Sequence, residues 1–429
     1  MLVWLITVGE PLPSDGPCQR LLRTGILANH LTKLGHTVVW WTSAFDHTRK
    51  QKRPEHSNRQ AAAQGLTIRL LPSCSYKSNV SFARLHNHRQ LKKAFHIAAA
   101  AEKCVPDVVL CSWPVVELCV EATRYGTSRG VPVVLDVRDL WPHAIVDLAP
   151  HSLRGIARFL LRKCFKEAQE AATQATAITG ITDAIVSWGV RLSGRQRNQT
   201  DRPFPMAYTT TAISDADFLR AQSKWANLGL RGDGSQFIVC FFGTLGRHFE
   251  LSTVASAARL LYPNFPDIKF VICGTGPDLM KWRTAARHCE NLLVPGIVNG
   301  AEIKALMATA RVGLAPYVST WDFMMSIPNK PIEYMSAGLP VVSSLKGELA
   351  TLLQTHQTGI TYENGDPADL AAAMAYCYQH RARLQQMSMA ATCLFREKFS
   401  AESVYSEMAS YLQALAANAK KQSAAQIGS

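Results

Sequence analysis

Short β-branched runs recur along this chain and alternate with stretches of helical periodicity, a pattern that restricts the fold to parallel strands joined by crossover helices. One series occupies residues 3–8, 37–42, 66–71, 108–111 and 131–136, with a helical pattern across 19–34 after the first run. A second series occupies 237–243, 269–273, 292–294, 312–315 and 340–343. At 429 residues the chain exceeds what one hydrophobic core supports, so two doubly wound α/β units are expected. The expected division is 1–213 and 214–400, with the junction in the polar span 214–236. A helix at 401–417 is expected to pack back on the first unit, followed by a solvated, disordered tail at 418–429. No repeat period in the range of about 20–50 residues is present, which removes solenoids.

The 46 Lys and Arg against 32 Asp and Glu give a formal net charge of +14. Such an excess implies an anionic partner: nucleic acid, an acidic membrane face or phosphorylated substrates. The eleven cysteines form no CxxC pair and no Cys/His cluster with ligand spacing, so buried thiols of a reducing cytosol are expected, with neither disulfides nor a metal site. Residues 1–9 lack the basic start and cleavage site of a signal peptide and read as a strand. No apolar run approaches the ~20 residues of a membrane-spanning helix.

The stretch 326–343 carries the chemistry. Lys330 and Glu333 stand at the head of a short helix that Gly338 ends, with Asn329 as its expected cap and Pro331 in its first turn. Free N–H groups at such a start make an anion seat, Lys330 adds positive charge, and the Glu333 carboxylate can accept two hydroxyl hydrogen bonds from a ring such as ribose. Solvated side chains at an ordinary helix start would read the same way. Glycines follow several strands where ligands of open α/β sheets gather: Gly9, Gly243 with Thr244 after it, and Gly274. Tight turns are the plain alternative for each. Arg247, four residues beyond Gly243, offers a guanidinium to phosphate oxygens. GxGxxG after the first strand, GxxxxGK[ST], GxSxG and HExxH are all missing, which argues against dehydrogenases, P-loop NTPases, serine hydrolases and zinc proteases.

Over residues 237–369 the motifs Phe242-Gly-Thr-Leu-Gly246, Cys273-Gly-Thr-Gly-Pro277, the segment 302–317 and Lys330-Pro-Ile-Glu-Tyr-Met-Ser-Ala-Gly338 occur in series. In them the chain resembles retaining glycosyltransferases of family 4. The amino-terminal half, with Asp136-Val-Arg-Asp-Leu-Trp-Pro142, looks like the branch that builds bacterial surface polysaccharides. The resemblance implies the GT-B arrangement, two Rossmann-like domains facing across a cleft. It implies a nucleotide-sugar donor, UDP before GDP, as co-substrate with no other cofactor and no metal. Glu333 matches the acid that holds the donor's ribose, Lys330 and Arg247 lie near the diphosphate, Gly9 lines the cleft, and Ile297 and Val298 cover the base. The first acid of the family's Glu-x7-Glu element is Met325 here, with Ser326 beside it, and Thr244 stands where an arginine often follows Gly243.

Arg138 and Asp139 end a first-domain strand, where they read equally as donor-sugar contacts or as a structural ion pair, and His143 is a further candidate. Bases at 154, 158, 162 and 166 recur every four residues with Leu153, Ile156, Phe159, Leu160 and Cys164 turned elsewhere. The segment 153–166 therefore reads as a basic amphipathic helix for anionic lipid, or as a core helix with a solvated face. A second basic segment spans 81–93. Together these imply a lipid-diphosphate-linked glycan acceptor and a cytoplasmic protein peripheral to the inner face of the plasma membrane. A nucleotide-sugar 2-epimerase and a basic nucleic-acid-binding protein are the rival readings. The second lacks aromatics interleaved with bases and any helix-turn-helix pattern.

Overall fold

Both units are built on the strand order 3-2-1-4-5-6 of doubly wound sheets, and this order fixes where each could hold a ligand. The computed structural model describes residues 1–16, 20–53, 61–63, 65–79, 81–210 and 212–427. One unit comprises Met1–Pro205 with Val404–Ser429, the other Met206–Ser403. Cys18 and Gln19 lie outside the described residues, and the helix expected from 19 runs Arg23–Lys33.

The first unit contains β1 (Leu2–Ile6), β2 (Thr37–Ser43), β3 (Phe45–Asp46), β4 (Gln51–Lys52), β5 (Ala61–Ala63), β6 (Leu66–Leu71), β7 (Val108–Trp113), β8 (Val133–Val137), β9 (Ala177–Gly180) and β10 (Arg202–Pro203). Its main sheet runs β10-β9-β8-β7-β1-β2-β6-β5, parallel except for the edge pairing of β5 with β6, while β3 and β4 form a separate ribbon. The second unit contains β11 (Phe237–Thr244), β12 (Ile268–Thr275), β13 (Leu292–Gly296), β14 (Val312–Ala315), β15 (Val341–Ser343) and β16 (Gly359–Thr361), ordered β13-β12-β11-β14-β15-β16 and parallel throughout. Parallel strands covered by helices on both faces must be apolar on both, which accounts for their unbroken hydrophobic runs. Along β11 the pleat sorts Ile238, Cys240 and Phe242 into one core cluster and Phe237, Val239 and Phe241 into the other.

The polar span expected to hold the junction is instead largely the helix Asp215–Asn227, started by the Ser214 hydroxyl, which accepts from Asp217 N. Its Trp225 is buried in the second unit, donating to Glu302 O at 2.9 Å. The helix Ala401–Ile427 extends well beyond 417. The tail reading fails over 418–427 because Ala, Lys and Gln favour helix and Lys420 pairs with Asp107 at 2.6 Å; Gly428 and Ser429 lie outside the described residues. Tyr411 on this helix donates to Thr200 O at 2.7 Å, within the first unit. Among the described residues no helix is long and apolar enough to cross a membrane. All ten described cysteines are free, but Cys104 and Cys393 are exposed rather than buried.

A buried ion network closes the switch point of the first sheet. Arg23 clamps Asp136 through Nε at 2.9 Å and Nη2 at 3.0 Å. Arg138 adds a third bond to Asp136 at 2.9 Å and pairs with Glu10, while Thr179 and Thr24 supply hydroxyls. Two guanidinium groups hold the Asp136 carboxyl far below the usual carboxylate range against the opposing effect of burial. Removing one partner leaves a stranded charge. Arg23→Leu is expected to lower unfolding free energy by about 3–5 kcal/mol in urea titrations, and a loss under about 1 kcal/mol would show that the network contributes little.

Candidate functional site

The second sheet switches direction between β11 and β14, and the residues singled out around Lys330 converge there. The helix Asn329–Ser336 follows β14 and is docked by Tyr334, whose ring occupies the space a Cβ on Gly313 would need, 2.2 Å from Tyr334 Cγ. The buried Tyr334 hydroxyl donates to Leu314 O at 3.0 Å. One turn earlier on the same face, Lys330 lies across the end of β11: a Cβ on Gly243 would stand 2.3 Å from its Cε and 2.6 Å from its Nζ. The ammonium also sits over the rings of Phe249, at 5.0 Å, and Phe241, at 5.7 Å.

Burial lowers the Lys330 pKa below its ordinary value, and the nearby Glu333 carboxylate acts to raise it. Glu333, three residues on, also acts with burial to push the Tyr317 phenol above its ordinary value. Gly338, at φ 70°, ends the helix, and Leu339 N reaches back to Tyr334 O at 3.0 Å. Asn329 is not the cap. The extended Pro328 takes that position and supplies no side-chain bond, which leaves the first N–H groups of the helix without a side-chain partner.

Gly274 is required by packing between the strands. A Cβ there would fall 1.8 Å from Gly243 O, and one on Gly276 would fall 2.2 Å from Leu245 O. These glycines let the two loops zip together, as the bond from Leu245 N to Thr275 O at 2.8 Å shows. Thr244 is exposed beside Thr275, its register partner. Ile297 and Val298 follow β13, two strands away from β11; Ile297 is exposed, whereas Val298 packs on the core. Asn299 and Glu302 cap the next helix reciprocally.

Arg247 is exposed in the loop after β11. It lowers the pKa of neighbouring His248 after burial has done so, and Asp322 acts in the opposite direction. His248, in an irregular loop, and Asp322, in a four-residue helix too short to carry a periodic pattern, match no spacing rule. Asp322 is the acid that precedes Met325, on the short helix Trp321–Met324. Ser326 turns its hydroxyl to Phe323 O at 3.1 Å.

The remaining candidates belong to the first unit. Gly9, at φ 91°, follows β1. Arg138 is committed to Asp136 and Glu10 rather than to Asp139, whose carboxylate accepts from Leu140 N at 2.8 Å. His143 lies beside Phe165 and Trp188, with ring centroids 4.9 and 5.5 Å apart.

Residues 236–380 match the family described as "Glycosyl transferases group 1". The putative colanic acid biosynthesis glycosyltransferase WcaL of Escherichia coli K12 is 29% identical over 170 residues, 38% of this chain and 42% of WcaL, so the chain matches under half the length of that relative. Sucrose-phosphate synthase from Thermosynechococcus elongatus superposes with a TM-score of 0.69 at 15% identity, covering 97% of this chain and 99% of that one. Anabaena HepE in complex with UDP superposes with a TM-score of 0.62 at 13% identity, covering 96% and 99%. The shared fold is α/β GT-B, with two Rossmann-like domains.

The Gly243 and Lys330 contact predicts coupling. Gly243→Ala is expected to destabilise by about 1–3 kcal/mol because the new Cβ overlaps the lysine stem. In a Lys330→Ala background the part of that penalty due to overlap should vanish, leaving only the strain of a side chain at φ 157°. Additive effects in this double-mutant cycle, read by chemical denaturation, would mean the lysine does not lie over the glycine.

Proposed function

We propose that this protein is a retaining glycosyltransferase. It transfers a sugar from a nucleotide-diphosphate donor, UDP before GDP, to a lipid-linked glycan in the assembly of a bacterial surface polysaccharide. The observation that carries the reading is the Lys330 ammonium lying over Gly243 at the second sheet's switch point, inside the segment that matches the glycosyl transferases. The WcaL likeness supports polysaccharide assembly, and the HepE likeness supports a uridine nucleotide.

In this reading the donor's diphosphate meets Lys330, the uncapped start of the helix Asn329–Ser336 and the exposed Arg247, while Glu333 accepts hydrogen bonds from ribose hydroxyls. The acceptor hydroxyl attacks the anomeric carbon on the face the diphosphate leaves. The bond from that carbon to the β-phosphate oxygen breaks, the new glycosidic bond forms, and the departing phosphate takes the hydroxyl proton. The protein's part is to stabilise negative charge growing on the β-phosphate, for which a half-buried ammonium is far more effective than a solvated one. Asp322 supplies a carboxylate near the position of the missing acid, three residues before Met325.

The membrane reading concerns the first unit. The expected single helix over 153–166 is two, Arg154–Leu160 and Arg162–Gln174, breaking at Leu161. Phe159 and Leu160 are 64% and 72% exposed, and Leu153 and Ile156 about half exposed, which disfavours a core role. Arg158, Arg162, Lys166 and Arg191 line an adjoining cavity of about 450 Å³. An apolar ridge beside clustered bases fits a peripheral site on an anionic leaflet of the cytoplasmic membrane.

Glu333→Ala is expected to weaken UDP binding about tenfold or more while leaving the melting temperature unchanged, as calorimetry would read. Unaltered affinity would remove the ribose assignment. The phosphate contact needs a protonated Lys330 whose pKa is below the ordinary lysine value, so UDP affinity should fall on raising the pH before an ordinary lysine would deprotonate. Lys330→Gln should flatten that decline. On vesicles containing phosphatidylglycerol, Phe159→Glu with Leu160→Glu should abolish sedimentation with lipid. Wild-type protein that ignores such vesicles at low salt would end the membrane reading.

A further inference from the structure

A second cationic cluster stands at the carboxyl edge of the first sheet, where the loops after β1, β2 and β6 meet, and the donor chemistry does not use it. His47 is the nearest side chain to Gly9, its Cβ 3.7 Å from where a Cβ on that glycine would stand. Lys50 Nζ lies 3.4 Å from His47 Nδ1, and the Tyr76 hydroxyl is hydrogen-bonded to that same nitrogen at 2.6 Å. Both Lys50 and Arg84 lie over the Tyr76 ring, at 4.7 and 5.9 Å, and Arg84 also covers Trp141 at 4.6 Å.

Three like-charged or chargeable groups are thus held together against their mutual repulsion. One neutral residue holds two of them: the Asn79 side chain accepts from Lys50 at 2.5 Å and its backbone carbonyl from Arg84 Nη1 at 2.7 Å. Among the described residues no carboxylate pairs directly with either. The acids nearby act only at longer range, Asp46 favouring the charged forms of His47 and Lys50 and Asp139 and Glu117 that of Arg84, while their direct bonds go elsewhere, Asp46 to Thr48 N and Arg49 N, Glu117 to His88, and Asp139 to Leu140 N. Arg84 also keeps a buried Nε without an acceptor. The crowding registers on the imidazole, where burial, Lys50 and Arg84 bring His47 down to about 4. A phosphate oxygen joining these groups would relieve the repulsion that remains among them.

We propose that His47, Lys50, Tyr76 and Arg84 form a phosphoanion site that receives the diphosphate of the acceptor. This assignment rests on the lipid-diphosphate acceptor of the proposed function, but it uses no residue of the donor site. A diphosphate there takes hydrogen bonds from Lys50, from Arg84 and from the phenol, and it makes the protonated imidazole favourable.

The test uses the full chain with labelled histidine. Adding pyrophosphate should raise the His47 titration midpoint by about one unit or more in NMR spectra. Geranyl diphosphate should do the same at equal or lower concentration. Lys50→Gln with Arg84→Gln should weaken both ligands at least about tenfold while UDP affinity stays as in the wild type. Lys50→Gln alone gives the same direction where the double variant fails to fold. A His47 midpoint unmoved by either ligand overturns the site. A midpoint moved by pyrophosphate but not by geranyl diphosphate overturns the acceptor assignment. Wild-type protein that fails to bind UDP but keeps the His47 response would count against the donor reading alone.

Discussion

The site in the second unit depends on two glycines that each give up a side chain's volume to the same helix. Gly313 in β14 receives the ring of Tyr334, and Gly243 at the end of β11 receives the stem of Lys330. Positions 330 and 334 are four apart, so they share one face of the helix, and the two seats lie on adjacent strands. The aromatic contact is apolar, fully buried and closed by a hydrogen bond to Leu314 O, so it fixes the helix axis. The lysine then has little choice of position. Holding a cation there lowers its pKa, and that cost is retained because the helix has a larger apolar reason to be where it is.

The first unit solves the same geometric problem with the opposite electrostatics. Its switch point, between β1 and β7, is also where strand ends diverge, but two guanidinium groups and two carboxylates fill it: Arg23, Arg138, Asp136 and Glu10. The set is internally neutral, its hydroxyl neighbours Thr24, Ser112 and Thr179 consume the remaining donors and acceptors, and Arg23 and Asp136 are buried. No charge is left over for a ligand. Available positive charge in this unit is displaced to the loop at Lys50, to Arg84 in the first turn of the helix Phe82–Ala101, and to the helices around Arg158 and Arg162.

Strand-forming runs were legible because a parallel sheet needs unbroken apolar residues. β6 and β14 fall where 66–71 and 312–315 were read, and most others shift by one or two residues. Short strands such as β9 and β10 were missed because two to four residues between helices carry too little pattern. Lys330 and Glu333 were legible as a pair on a helix start. The Asn329 cap misled because Pro328 before it already adopts the extended conformation an N-cap requires. At Gly274 the carbonyl of Gly243 imposes a packing reason of its own, a contact between strands that no local spacing reveals. Arg138 shows the same limit, since its partners Glu10 and Asp136 include a residue 128 positions away.

Met325 closes the short helix Trp321–Met324 ahead of Lys330. Gly347, at φ 80°, passes so close to this helix that a Cβ there would stand only 2.1 Å from Met324 O. The short helix Trp321–Met324 then carries Asp322 on the side where it influences His248, and Phe323 lies against the His248 and Tyr317 rings at 5.4 and 5.3 Å. Asp322 thus places a carboxylate three residues before Met325 on the same short segment. Tyr317 and Tyr334 belong to one core cluster, against which Phe249 and Phe323 also pack, so the turn carrying Asp322 and the helix carrying Lys330 are held by continuous packing.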